Sequence, residues 1–70
     1  MFGLYMRRKR IDRETSGAQI ARAVFVSRQA VSLWESGKTR PTKQNLDLWC
    51  RALNFSDGES SAALELWRDK

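Results

Sequence analysis

Chain breakers limit this sequence more than any motif does. Glycine stands at 3, 17, 37 and 58, and the one proline at 41, in a chain of 70 residues. No run alternates apolar and polar residues long enough to make a strand, and the intervals between breakers suit short helices. The chain therefore reads as one all-α domain over 1–70, a compact bundle of about five short helices. A chain of this size buries only about 60% of its unfolded surface. Cys50 is the single cysteine, so no intrachain disulfide can add to stability.

Composition removes most chemistry. There is no histidine, and with a single cysteine this excludes zinc, haem and iron–sulfur sites and the usual histidine-activated nucleophiles. The expectation is no enzyme, no metal, no cofactor and no small-molecule ligand. Charge remains. Thirteen Lys and Arg face eight Asp and Glu, a net of +5. Residues 1–53 carry a net +7 and residues 54–70 a net −2, so the first fifty-odd residues should hold the binding surface. A basic chain without catalytic parts suggests nucleic acid as its anionic partner. The longest apolar run, Ala23 to Val26, is far short of the roughly 20 residues of a membrane span. The apolar Met1–Met6 precedes basic residues, the reverse of a signal peptide. With a free thiol, the expected location is the cytoplasm of a bacterial or phage-infected cell, near the nucleoid.

Segment by segment, the first helix is expected over about Gly3 to Asp12. Leu4, Arg8 and Ile11 make its periodic stripe, with Tyr5 beside them. Ser16-Gly17-Ala18-Gln19 fits a capping box opening a second helix over about Gly17 to Val24, with Ile20, Ala21 and Val24 inward. Ser27 caps a third helix that ends at Gly37, with Ala30, Val31 and Trp34 on one side. Thr42 or Pro41 starts a fourth, with Leu46, Trp49, Cys50 and Leu53 at helical spacing. Asn54 ends it, and Phe55 folds back on the core. A fifth helix is expected from about Ser60 to Trp67. Trp34 and Trp49 read as core, and Cys50 as a core thiol.

Two short helices joined around Phe25-Val26, amid basic residues, form a helix-turn-helix pattern over about 17–36. Ala21 is the small residue at the crossing, and Val26 the turn residue. The run Val26-Ser27-Arg28-Gln29-Ala30-Val31-Ser32-Leu33-Trp34-Glu35-Ser36-Gly37-Lys38 closely resembles the phage Cro and repressor type of helix-turn-helix domain, also called Xre-like. With Pro41, Leu46, Trp49, Cys50, Leu53 and Phe55 in place, the resemblance covers about Leu4 to Phe55. It implies a lambda-repressor-like fold and DNA binding. Three positions depart from the family pattern: Phe25 replaces the usual turn glycine, Gly17 a frequent glutamine, and Glu14-Thr15 a Gly-Leu pair.

The resemblance implies that helix three enters the major groove, with Arg28, Gln29, Ser32 and Leu33 toward base edges. Arg28 suits guanine and Gln29 adenine; Leu33 is either a thymine-methyl contact or part of the core. Phosphates would be met by Gly17, Ala18, Gln19 and Ser27, and by Lys38, Thr39, Arg40 and Lys43 after helix three. Arg7, Arg8 and Lys9 would add long-range attraction. In similar proteins an arginine of helix one pairs with the glutamate ending helix three; Arg10 and Glu35 hold those places.

The function expected is a sequence-specific transcriptional regulator, a Cro-like repressor that binds a palindromic operator as a homodimer. The dimer surface is either Met1-Phe2 with Tyr5-Met6, or Leu64, Leu66 and Trp67 in a tail over 56–70 that alternatively packs back on the domain. A DNA-binding antitoxin and a restriction–modification controller fit the same pattern. A protein-interaction module using Phe25 or Leu33, and non-specific binding through helix one, are the competing classes.

Overall fold

The computed structural model describes residues 1–69; Lys70, the end of the 56–70 tail, lies outside the described residues. Five helices follow in order: α1 Phe2–Asp12, α2 Gly17–Val24, α3 Arg28–Ser36, α4 Lys43–Ala52 and α5 Asp57–Arg68. Among the described residues there is no strand.

Local chemistry sets most of the boundaries. Ser16, Ser27, Thr42 and Ser56 each hold the N-cap and accept a hydrogen bond from the third backbone amide of their helix. At Ser16 the glutamine side chain of Gln19 accepts from the Ser16 amide in return, at 2.7 Å. Gly37, at φ 85, closes α3 in the left-handed conformation that glycine adopts without Cβ strain. Asn54 ends α4 at φ 55.

α2 packs on α3 and α4, and α1 on α3 and α5. The centre is aromatic. Phe2 meets Trp49 edge-on at 5.8 Å, and Trp34 lies tilted against Trp49 at 5.6 Å. Met6, Ile20, Val31, Leu46 and Leu53 fill the space around them. Cys50 is buried among these residues, and burial pushes its thiol pKa up. Val26 is half-buried against the same core. Phe55 does fold back: it meets the Tyr5 ring edge-on at 6.2 Å, with the Arg13 guanidinium 5.1 Å above it.

Two expectations are corrected. The Leu4, Arg8 and Ile11 stripe of α1 does not face inward; Leu4 and Ile11 are 44% and 54% exposed, and the helix turns Phe2, Gly3 and Met6 to the core. Phe2 and Met6 thereby leave the candidate dimer surface. The period misled because four consecutive basic residues, Arg7 to Arg10, blur the polar face. A close approach decides the rotation instead: a Cβ on Gly3 would lie 2.6 Å from the Trp34 carbonyl oxygen and closer still to that of Glu35.

The fifth helix also starts earlier than Ser60. Ser56 and Glu59 form a second capping box, with Gly58 inside the first turn, where helical hydrogen bonding has not begun. Its Trp67 packs back on the domain: the indole Nε1 donates to the Pro41 carbonyl at 2.8 Å.

Candidate nucleic-acid interface

The tight turn at Phe25 and Val26 fixes α2 against α3. Phe25 is the C-cap of α2 in the left-handed region, φ 64, and its amide and that of Val26 donate to the last carbonyls of α2. The turn therefore keeps the glycine-like conformation with a phenylalanine in it. The ring takes no part in the packing and is 85% exposed.

Arg7, Arg10, Gly17, Arg28, Ser32 and Glu35 line a single groove where α1, the start of α2 and the outer face of α3 meet. Its geometry is held by Arg10. The Arg10 Nε donates to Glu35 Oε2 at 2.7 Å and a terminal nitrogen to Oε1 at 3.0 Å; the other terminal nitrogen donates to the Thr15 carbonyl at 3.0 Å. This two-point pairing ties α1, the loop before α2 and the end of α3 together. The Glu35 hydrogen bonds raise the Arg10 pKa above its usual value. Glu35 is thus neutralised, and Arg7 and Arg28 leave the groove positive.

α3 carries Arg28, Gln29 and Ser32 on its exposed face, with Leu33 half-buried and outside the core. At the start of α2, the amides of Gly17 and Ala18 precede the first helical hydrogen bond, and a Cβ on Gly17 would meet nothing within 4 Å. Gln19 is exposed and engaged in the capping box. The Ser27 hydroxyl is occupied as well, accepting from the Ala30 amide at 3.1 Å.

The loop after α3 divides. Lys38 and Thr39 are exposed, and their backbone amides donate to the Leu33 carbonyl. Arg40 turns away to α5: its guanidinium lies 4.9 Å above the Trp67 ring and donates to the Trp67 carbonyl. Lys43 is paired with Asp47 at 3.1 Å, one turn along α4. The structure therefore brings Gly17, Arg28 and Ser32 together on one groove, while Arg40 and Lys43 are committed elsewhere. Reading the sequence for long-range attraction alone missed Arg7 as a groove residue. The signal was present, since Arg7 lies three residues before Arg10 and so on the same side of α1.

A positive groove beside an exposed, capped nine-residue helix, itself fixed against α2 by a tight turn, is the architecture of a helix-turn-helix domain. A family model described as Helix-turn-helix matches residues 6–59. The chain belongs to that family, the Xre/Cro-like helix-turn-helix proteins, whose domain binds double-stranded DNA as a regulator and is not catalytic. Among curated proteins and solved structures, no significant match is found. No described helix is long and apolar enough to cross a membrane.

Proposed function

We propose that this protein is a sequence-specific transcriptional repressor of the Cro type, acting in the cytoplasm as a homodimer on a palindromic operator. The observation that carries the reading is the groove shared by Arg7, Gly17, Arg28 and Ser32, with α3 exposed beside it. An α-helix with its side chains is about 10–12 Å across, so a major groove about 12 Å wide admits α3. Arg28 then presents its fork to guanine O6 and N7, Gln29 its amide to adenine, Ser32 its hydroxyl to a base or phosphate, and Leu33 its methyls to thymine.

The first amides of α2, Gly17 and Ala18, receive a phosphate, supported by the positive end of the helix dipole. Gln19 and Ser27 flank that phosphate, and Arg7 approaches the same strand. Lys38 and Thr39 meet the backbone beyond α3. Arg40 and Lys43 reach it only by leaving Trp67 and Asp47. Two half-sites about 34 Å apart accommodate the dimer. Occupying a promoter in this way excludes polymerase, and protein concentration sets the occupancy.

Arg28→Ala tests direct readout. The reading predicts a loss of about 1–3 kcal/mol in duplex binding, with relaxed preference at one base position in each half-site. A small, sequence-independent loss would instead support charge-driven binding, whose mark is a steep salt dependence. The exposed Phe25 ring favours one second reading, a protein-interaction module. It predicts that Arg28→Ala leaves partner binding intact and that Phe25→Ala removes it.

A further inference from the structure

The loop between α3 and α4 is held at both ends. The Lys38 and Thr39 amides donate to the Leu33 carbonyl at 3.0 and 3.4 Å, and the Thr42 hydroxyl caps α4, accepting from the Asn45 amide at 3.1 Å. Trp67 of α5 grips the middle of this loop twice. Its indole Nε1 donates to the carbonyl of the buried Pro41 at 2.8 Å, and its ring lies 4.9 Å from the Arg40 guanidinium. The same guanidinium donates to the Trp67 carbonyl. That carbonyl belongs to the last turn of α5, where carbonyls outnumber the amides of the helix that could reach them. An aromatic face and a helix C-terminus each attract a cation. The other charges nearby nearly cancel. Asp69 lines the same cleft as Arg40, while Arg68 is the basic residue of the last turn of α5. Arg40 forms no ion pair among the described residues. The arginine is therefore held by Trp67 itself and not by net charge.

We infer that Trp67 is a positioning residue for the DNA interface: it withholds Arg40 from the phosphate backbone, so that α5 sets how many cations the loop after α3 lends to a duplex. A guanidinium stacked on the Trp67 ring and bonded to the Trp67 carbonyl cannot at the same time pair with a phosphate. With Trp67 engaged, the loop offers the exposed Lys38 alone; with Trp67 removed, it offers Lys38 and Arg40. Trp67 acts through Arg40 and lines no part of the groove that holds Arg7 and Arg28. The inference rests on the duplex binding of the family and not on the operator reading.

Fluorescence anisotropy with a labelled random-sequence duplex of about 20 base pairs, over a series of salt concentrations, tests it. Far-UV circular dichroism verifies folding. Trp67→Ala is expected to bind roughly five- to tenfold tighter at 0.1 M salt, with a salt slope steeper by about 0.9 per bound copy, the mark of one further phosphate contact. Arg40→Ala alone is expected to keep the wild-type slope, and the two substitutions together to return to it. A tryptophan that serves stability alone would weaken binding on removal and would not make the slope depend on Arg40. Trp67→Leu, which keeps an apolar body but neither the ring nor the N–H, carries the same test if Trp67→Ala unfolds. Tryptophan variants with the wild-type slope overturn the inference. So does a steeper slope that persists without Arg40, or a slope that Arg40→Ala alone flattens, since Arg40 would then already meet phosphate. A wild type and variants that all fail to bind duplex remove the DNA-binding reading and the inference together, whereas binding with unchanged slopes removes the inference alone. Slopes that shift as expected, in a protein that selects no DNA sequence, leave the role of Trp67 standing and remove the operator reading.

Discussion

Phe25 carries a cost that the rest of the molecule does not return. It stands at φ 64 in the turn of the helix-turn-helix, where a side chain crowds the backbone, and its ring gains almost no burial. Phe25→Gly is expected to stabilise the fold by about 1 kcal/mol. That corresponds to a rise in melting temperature of about 4–8 °C for a domain of this size, readable by thermal denaturation. A lower melting temperature would mean that the ring is packed in solution. Asn54 holds a similar conformation at less expense, because asparagine tolerates the left-handed region better than most residues. At this scale the sequence was highly legible. The caps at Ser16, Ser27 and Thr42 depend on a side chain and an amide three residues on, and so can be read from the chain alone. The placement of Arg28 and Ser32 on the exposed groove face of α3 was legible because the motif around them is long. The engagement of Arg40 with Trp67 was not, since it joins residues 27 apart in sequence and has no local pattern.

Among the elements, α1 is the instructive one. Its helical spacing pointed to Leu4 and Ile11, yet its rotation is set from outside by Gly3 against α3, by Arg10 on Glu35, and by Lys9 and Arg13 on Glu59. Long-range contacts of this kind override a weak period. Gly3→Ala is expected to cost about 1–3 kcal/mol, as overpacking does, because the carbonyls of Trp34 and Glu35 belong to the end of α3 and cannot give way freely. A urea titration measures it. An unchanged midpoint would show that α1 stands further from α3 than described. The start of α5 was legible and was misread. Ser56 and Glu59 have capping-box spacing, but Gly58 reads as a breaker unless its place in the first turn is recognised. α2 and α4 follow their apolar periods because each buries its own stripe, Ile20, Ala21 and Val24 in one and Leu46, Trp49 and Cys50 in the other.

For the whole molecule, Glu59 is the junction between the basic half and the acidic tail. The Ser56 backbone amide, then Arg13 and Lys9, hold its carboxyl at about 2, below the ordinary 4.5. A depressed carboxyl contributes stability that is fully present above the unfolded-state value. That contribution is lost as pH falls from about 4.5 toward 2. Melting curves across that range are expected to show it, and Glu59→Gln to flatten this part of the profile. A variant that falls in parallel with the wild type would place the acid sensitivity elsewhere. The proposed function at this scale rests on α3 reading base edges. The direct test is selection of bound duplexes from a random pool at near-physiological salt. The account predicts enrichment of a two-fold symmetric site with half-sites one helical turn apart, about 34 Å. A folded protein that enriches no sequence would contradict it.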